Sequence, residues 1–229
     1  MPDTAAEPAK RGRPRRGPDP ERFREIVDAA AQVFLEKGYS ATSIQDISDR
    51  VGILKGSLYH YVRSKEDFLY RIIKDVYDEA IADIKTVTEP DEEPLERLAA
   101  FIRAHVQFAS SHLTAYTIQL REFEQLSPER REEIRQGGET YVEALQVILE
   151  DAQAAGLVDP GLRARLASVI ITGELNSMTR WYSPSGSLKP DELADVYVGM
   201  VMCSVASDQA VEKYEGVEGL RAAFVLNQG

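Results

Sequence analysis

Helix-start and helix-stop signals follow one another at short intervals from residue 19 onward, and this spacing constrains the fold more than any other feature of the chain. Asp19 followed by Pro20 is typical of an N-cap with proline at the first helical position. Apolar residues then recur at helical spacing to about Lys37, and Gly38 stands where a C-cap is expected. We therefore predict a first helix over residues 20–37. Its apolar face is predicted to hold Phe23, Ile26, Val27, Ala30 and Phe34.

Two more short helices are predicted directly after the first. Thr42 and Gln45 have the spacing of a capping box, and Gly52 is placed to end the helix that they begin. The segment LKGSLYHYV predicts a third short helix over residues 54–62. A longer helix is then expected to begin at SKEDF, with Ser64 as its N-cap and acidic residues in its first turn, where the helix dipole favours them.

Helical signals continue through the rest of the chain, and no segment alternates between apolar and polar residues with the period of a strand. One predicted helix opens with Ser127 and Pro128 and ends at Gly156, and two more cover about residues 160–183 and 190–209. The apolar face of an earlier helix is predicted to consist of Leu95, Leu98, Phe101, Ile102, His105 and Phe108. The predicted fold class is therefore all-α, with three short helices followed by longer ones.

Charge is divided unevenly along this acidic chain, whose formal net charge is −11. Residues 1–75 carry a balance of +2 and the remainder a balance of −13. A local basic surface suits a nucleic-acid partner, because contacts to phosphates release condensed counterions. The single cysteine excludes an internal disulfide, and no apolar run approaches the length of a membrane helix. We expect a soluble cytoplasmic protein with no membrane partner.

The second and third predicted helices match a helix-turn-helix, in which the second helix of the pair lies in the major groove of DNA. Lys55 places a cation at the start of that helix, Gly56 allows the backbone to approach a phosphate, and Ser57 can bond to a base edge or a phosphate. Lys65 is expected to add a phosphate contact. Three polar aromatic residues cover successive faces of the helix: Tyr59, His60 and Tyr61.

The segment TSIQDISDRVGILKGSLYHYVRSKEDFL resembles the DNA-binding segment of TetR-family transcriptional regulators, over about residues 22–70. Two positions depart from that pattern, because Leu54 stands where Ser or Thr is common and Val62 where Phe is usual. The resemblance implies a homodimeric, ligand-controlled repressor that binds double-stranded DNA at a palindromic operator. The positions that correspond to common DNA contacts of the family are Thr42, Ser43, Lys55, Gly56, Ser57, Tyr59, His60, Tyr61 and Lys65.

The first 18 residues are rich in Pro, Ala and Arg and predict a disordered basic arm. Within it, RGRP resembles the core of an AT-hook, and Arg11 and Arg13 are expected to enter the minor groove of A·T-rich DNA. A solvated basic tail is the alternative interpretation. The predicted organisation is thus an arm over residues 1–18, a DNA-binding domain over 19–67, and an effector-binding and dimerisation domain over 68–229.

The resemblance also implies a dimer face formed by the last two long helices. Val169, Gly173 and Ser177 make a stripe with two small residues that would allow two helices to approach closely. Apolar surface on the partner helix is expected from Val196, Met200, Cys203 and Val205. A plain internal core would have the same pattern.

Polar residues interrupt the apolar helices of the body, as expected of a cavity with a few placed polar groups. The segments LREFEQLSPERREEIRQGGETYVEAL and NSMTRWYSPSGSLKPDEL resemble TetR-type regulators of lipid and steroid breakdown that respond to CoA thioesters. This resemblance implies a small hydrophobic effector, such as an acyl- or steroid-CoA, with an arginine facing its carboxylate or phosphate. The candidate effector residues are His105, Tyr116, Arg121, Tyr141, Asn176, Arg180 and Trp181.

Two other functions remain open from the sequence. A constitutive DNA-binding regulator without an effector is one. A helical metal-dependent enzyme is the other, since His105 and His112 lie seven residues apart and Glu122 or Glu174 offers a carboxylate. The chain has no phosphate-binding glycine loop and no nucleophile elbow. We therefore predict no catalytic residue, no cofactor and no metal.

Overall fold

The computed structural model describes residues 19–87 and 91–225. Within those ranges it contains eleven α-helices, two single-turn 3-10 helices and no strand, which confirms the all-α prediction. None of the described helices is both long enough and apolar enough to cross a membrane. The α-helices are α1 (Pro20–Lys37), α2 (Ile44–Val51), α3 (Lys55–Leu58), α4 (Lys65–Val87), α5 (Pro94–Ser111), α6 (Leu113–Glu122), α7 (Pro128–Ala154), α8 (Ala164–Ser177), α9 (Pro190–Val205), α10 (Asp208–Lys213) and α11 (Val217–Phe224), and the 3-10 helices are Phe123–Gln125 and Met178–Arg180.

The first helix begins and ends as its caps predict. The Asp19 carboxylate accepts a hydrogen bond from the backbone N–H of Glu21 at 3.1 Å. Gly38 ends α1 with a φ of 79°, in the region that favours glycine, and its N–H donates to the carbonyl of Phe34 at 2.8 Å. Of the predicted apolar face, Phe23 is only partly buried, and the fully buried members are Ile26, Val27, Ala30 and Phe34.

The capping box of α2 lies one residue later than predicted. Ser43 and Asp46 form it: the Ser43 hydroxyl accepts from the Asp46 N–H at 3.2 Å, and the Asp46 carboxylate accepts from the Ser43 N–H at 2.8 Å. Thr42 is buried instead, and its hydroxyl donates to the carbonyl of Gly38 at 2.8 Å. The prediction of Thr42 and Gln45 was wrong because the preceding loop turns the Thr42 side chain inward.

The third helix is shorter than the predicted 54–62. After the four residues of α3, the chain continues as a turn in which the N–H groups of His60 and Tyr61 bond to carbonyls three residues back, at 3.2 and 2.9 Å. Leu54, at the N-cap, makes no side-chain cap, and this agrees with the departure noted at that position. The result is a compact recognition element of one helical turn followed by a tight turn.

Two hydrophobic cores share α4. The first packs α1, α2 and α3 against the start of α4 and receives Ile118, Leu126 and Ile134 from later helices. The second fills the larger body, from Val76 of α4 to the last helix. The change from one core to the other lies between Ile73 and Val76, about two turns beyond residue 67. The predicted domain boundaries stay a prediction, and one continuous helix, α4, crosses between the two cores.

The C-terminal helices are shorter than predicted. The helix predicted over 160–183 is α8 followed by one 3-10 turn, and the one predicted over 190–209 is α9, which ends at Val205. Ala206 then has extended backbone, and the Ser207 hydroxyl accepts from the N–H of Ala210 at 3.0 Å to cap a new helix. The short helices α10 and α11 follow, and α11 packs back against α9.

Candidate DNA interface and effector cavity

The recognition turn, defined here as residues 54–61, presents several predicted DNA contacts to solvent. Lys55, Gly56 and His60 are exposed. Tyr59 is 49% exposed, which is a large fraction for an aromatic ring. Leu54 is apolar, yet 80% of its surface is exposed to solvent, as is typical of a side chain that contacts a partner. The turn therefore offers a cation, a polar aromatic ring and an apolar tip on one surface.

Two other predicted contacts of the turn are half-buried. The ring of Tyr61 stacks on Phe23 of α1, with ring centroids 5.8 Å apart and an interplanar angle of 7°. Ser57 precedes Leu58, which is fully buried in the first core and anchors the turn. Tyr61 thus gives one face to the protein, and Tyr59 is the more available of the two tyrosines.

The structure places Thr42, Ser43 and Lys65 in structural roles beside the recognition turn. The hydroxyls of Thr42 and Ser43 are engaged in the loop and cap described above. The Lys65 ammonium donates to the carbonyls of Tyr39 and Thr42 at 2.6 and 2.8 Å and lies 4.3 Å from the centre of the Tyr39 ring. Burial lowers the pKa of Lys65. Lys65 therefore holds the α1–α2 loop against the start of α4, and only the exposed Ser43 is open to a partner.

The predicted minor-groove residues, Arg11 and Arg13, lie outside the described residues. Their role stays a prediction from the sequence.

A cavity of about 460 Å³ lies between α4, α6, α7 and α8. Three of the predicted effector residues line it: Tyr116, Tyr141 and Asn176. The Tyr116 hydroxyl donates to Asn176 Oδ1 at 3.0 Å, which joins α6 to α8 across the wall. Much of the remaining lining is apolar or aromatic, including Val76, Ala80 and Phe123, and charged residues such as Glu139 line it as well. A cavity of this size and chemistry suits a small hydrophobic molecule.

His105 does not line the cavity but lies behind one of its walls. It is buried, and its Nδ1 lies 2.9 Å from the hydroxyl of Tyr141. Burial lowers the pKa of His105 to about 4 and raises the pKa of Tyr141 well above its usual value. Burial also raises the pKa of Tyr116. These three groups are therefore neutral near pH 7.

Arg121 and Arg180 line a second, more polar cavity of about 310 Å³. It adjoins the first, because Leu120, Gly173 and Asn176 line both. Two cations thus stand next to the first cavity. The structure does not bring Trp181 to either cavity; it is 55% exposed.

Arg135 and Arg165 also line the first cavity, although they are not among the residues predicted from the sequence. Gly137 and Gly138, inside α7, were a sequence signal that this part of α7 borders a site, because glycine within a helical pattern often marks the close approach of another group. A Cβ at Gly138 would lie 3.3 Å from the Tyr77 hydroxyl, so this glycine makes room for a cavity-lining tyrosine.

An exposed apolar stripe covers the outer faces of α8 and α9. Val169 is 48% and Ile170 61% exposed, and both Val196 and Met200 are about as open. Gly173 and Cys203 are exposed on the same two helices. Of the residues predicted for the dimer face, Ser177 is only partly exposed, and Val205 is buried in the second core because it lies on the inner face of α9. The dimer face itself stays a prediction.

The predicted metal alternative has little geometric basis. His105 bonds to Tyr141, and His112 Nδ1 donates to the carbonyl of Phe108 at 3.0 Å. In the ranges that the structure describes, no three His, Cys, Asp or Glu side chains are grouped so that they could hold a metal ion.

A helix-turn-helix with an exposed recognition turn, joined by one helix to a larger helical body, is the architecture of a DNA-binding protein. Family comparisons agree. The model "Bacterial regulatory proteins, tetR family" matches residues 26–72, and "Tetracyclin repressor-like, C-terminal domain" matches residues 91–205. The chain belongs to the TetR family of bacterial transcriptional regulators, a class of DNA-binding proteins and not of enzymes.

Individual relatives cover most of the chain. The HTH-type transcriptional repressor KstR2 of Mycobacterium tuberculosis is 28% identical over 189 residues, which are 80% of this chain and 92% of that one. The fatty acid metabolism regulator protein of Bacillus subtilis is 30% identical, and the match covers 70% of this chain and 83% of that protein. The crystal structure of AibR in complex with isovaleryl coenzyme A and operator DNA matches with a TM-score of 0.71 at 28% identity. The match covers 78% of this chain and 97% of the AibR chain.

Proposed function

We propose that this protein is a ligand-responsive transcriptional repressor that binds a palindromic operator as a dimer and is released by a hydrophobic effector, an acyl- or steroid-CoA thioester. One observation carries the proposal: the helix that begins just after the recognition turn also walls the cavity. Val76, Tyr77 and Ala80 of α4 line the cavity, and Lys65 of the same helix holds the loop before α2.

DNA binding is assigned to the recognition turn and its surroundings. Lys55 and backbone N–H groups bind phosphates, while Tyr59 and His60 reach base edges or the sugar–phosphate backbone. Ser43 supplies a further contact from the start of α2. Thr42, Gly56, Ser57, Tyr61 and Lys65 shape this surface from behind or beside it. The basic arm, through Arg11 and Arg13, adds contacts in the minor groove.

The dimer is formed by the apolar stripe on α8 and α9. Val169, Ile170, Val196 and Met200 give it an apolar centre, and the exposed Gly173 allows the two copies of α8 to approach closely. Two recognition turns related by a two-fold axis match two half-sites of a palindrome. Dimer geometry therefore sets the spacing at which DNA is read.

Release follows from a change in that spacing. An effector that fills the cavity contacts α4 directly, and a shift of α4 carries the recognition turn with it. The effector must bind the DNA-incompetent state more tightly than the DNA-bound state, since only differential affinity moves the equilibrium.

The effector class is inferred from the two adjoining cavities and from the relatives. The apolar cavity suits an acyl chain or ring, and Arg121 and Arg180 in the neighbouring cavity suit phosphates or a carboxylate. AibR binds isovaleryl coenzyme A and operator DNA in its crystal structure. The fatty acid metabolism regulator protein of Bacillus subtilis and KstR2 are among the relatives.

The test is a titration of acyl- and steroid-CoA thioesters, with their free acids, into the protein bound to labelled DNA from its own promoter. Fluorescence anisotropy reports release. We expect release by at least one thioester at concentrations where its acid has no effect, and we expect Arg121→Gln with Arg180→Gln to remove that difference. Binding to the promoter without release by any member would favour the constitutive regulator instead.

A further inference from the structure

Two oxygen atoms in the wall of the first cavity are buried and have no hydrogen-bond partner among the described residues. They are Gln119 Oε1 on α6 and Thr172 Oγ1 on α8. Both residues line the cavity, and Gln119 is only 6% exposed. A buried polar atom without a partner is uncommon and calls for a physical explanation. The cavity that both atoms border indicates a ligand as that explanation.

Gln119 lines the cavity beside Tyr77 of α4. Burial raises the pKa of the Tyr77 hydroxyl, and Gln119 acts in the opposite direction. The Gln119 Oε1 atom has no partner among the described residues. A glutamine oxygen is an acceptor only, and it needs an O–H or N–H from a bound molecule.

Three charged residues also line the cavity, Arg135, Glu139 and Arg165, but none of them bonds to Gln119 Oε1 or Thr172 Oγ1. Tyr116 and Asn176 bond to each other, and Tyr141 lies within hydrogen-bond distance of His105. Apolar side chains such as Val76 and Val142 fill much of the remaining wall. Gln119 Oε1 and Thr172 Oγ1 are thus buried oxygens of the cavity wall that remain without a partner among the described residues.

We propose that the effector carries a hydroxyl within its hydrophobic part, and that this hydroxyl donates a hydrogen bond to Gln119 Oε1 while Thr172 offers its own hydroxyl as a further partner. This inference rests on the proposed function and narrows its effector from hydrophobic thioesters in general to hydroxylated acyl chains or rings. A site built to bond a hydroxyl discriminates strongly against the analogue that lacks it, because that analogue leaves the acceptor unpaired.

The experiment compares matched ligands on the DNA-free protein by isothermal titration calorimetry. The ligands are medium-chain acyl-CoA thioesters with a hydroxyl near the thioester, near the chain end or absent, and a ring-bearing thioester with and without a ring hydroxyl. We expect one hydroxylated member to bind about tenfold more tightly than its unsubstituted partner.

Three variants locate that preference. Gln119→Met keeps the length of the side chain and removes the acceptor, so the preference should fall below about twofold while binding of the unsubstituted ligand is kept. Thr172→Val keeps the shape of the side chain, should reduce the preference, and decides the question if Gln119→Met does not fold. Leu120→Met changes the same wall without a polar atom and should leave the preference intact.

The outcomes separate the two proposals. Equal affinity within every matched pair would overturn the inference and leave thioester regulation standing, with water as the partner of the two oxygens. A preference that survives in both Gln119→Met and Thr172→Val would also overturn it, because the hydroxyl would be bound elsewhere. Failure of every thioester and acid to bind would overturn the proposed function and the inference with it.

Discussion

Arg130, at the start of α7, forms an ion pair with Asp67 in the first turn of α4, although the two residues are 63 positions apart in the chain. Arg130 also lies 3.3 Å from the carboxylate of Glu66, which accepts the backbone N–H of Ser127 at 3.0 Å. The neighbouring Lys65 binds the loop before α2. The start of α4 is therefore held by the body on one side and by the DNA-binding helices on the other.

This ion pair should contribute measurably to stability. Arg130→Met and Asp67→Asn, combined in a double-mutant cycle, should give a coupling energy of about 1–2 kcal/mol in chemical unfolding, because both groups are partly buried and hydrogen-bonded. The exposed pair Arg22–Glu25 on α1 is the control, with an expected coupling near zero. A coupling for Arg130 and Asp67 no larger than that of the control would contradict the role given to this junction.

Variants of the recognition turn should distinguish contacts to the phosphates from contacts to the bases. Lys55→Ala should lower the slope of log affinity against log salt by about 1 for each half-site, because one phosphate contact is lost. Tyr59→Ala should weaken operator binding about tenfold and leave that slope unchanged. Lys85→Ala, an exposed cation at the far end of α4, serves as the control and should change neither quantity. Full-strength binding by both turn variants would refute the placement of the interface.

The exposed tip of the recognition turn, Leu54, predicts a DNA contact that is not expected from the sequence alone. Leu54 is well placed to pack on the methyl group of a thymine in the major groove. Leu54→Ala and replacement of the contacted thymine by uracil should each weaken binding about fourfold per half-site, the equivalent of one buried methyl group. The two changes together should cost no more than one alone. Additive losses at every thymine of the operator would show that Leu54 contacts none of them.

Stability should depend on pH through His105. The unfolded chain takes up this proton near pH 6.5 and the folded chain only near pH 4, so the unfolded chain binds more protons between these values. The free energy of unfolding should therefore fall as the pH is lowered through that window, by about 3 kcal/mol in full. His105→Gln can still bond to Tyr141 but does not titrate, and its unfolding curve should lack this component. Parallel curves for the two proteins between pH 4 and pH 7 would contradict a neutral, buried His105.

The apolar stripe predicts how the dimer can be broken. Ile170→Glu places a charge at the most exposed apolar residue of α8 and should shift the protein to monomers in sedimentation velocity, with loss of operator binding. Val147→Glu, on α7, introduces the same charge at a side chain of similar exposure to Val169 and should leave the sedimentation coefficient unchanged. A dimeric Ile170→Glu protein would place the interface elsewhere.

The ends of the N-terminal helices could be predicted from the sequence, because each helix cap and each terminating glycine depends only on residues close to it in the chain. Asp19, Gly38 and Gly52 end or begin helices as expected. The length of α3 was not predictable in this way, since the turn after Leu58 depends on packing against α1 and α4. The sequence pattern predicts Thr42 and Lys65 as DNA contacts. In the structure both side chains bond to carbonyls of the loop between α1 and α2, and Lys65 is too distant from that loop in sequence for local signals to reveal the contact.

The cavity was less predictable than the helices that surround it. Polar side chains in apolar helices identified Tyr116, Tyr141 and Asn176. Gln119 also interrupts an apolar helix, but its unpaired oxygen becomes evident only when α4, α6 and α8 are brought together. Trp181 is an error of the opposite kind, because the sequence pattern predicts it as an effector residue but it is exposed and lies outside both cavities.

Thermodynamic linkage tests the central claim, that occupancy of the cavity controls DNA binding, most directly. The affinity of the effector is measured on the free protein and on the protein saturated with operator, and the operator affinity is measured with and without saturating effector. The account predicts that operator weakens effector binding by the same factor, about tenfold or more, by which effector weakens operator binding. Equal effector affinity in the two states would contradict it, since a ligand that binds both states alike cannot release DNA.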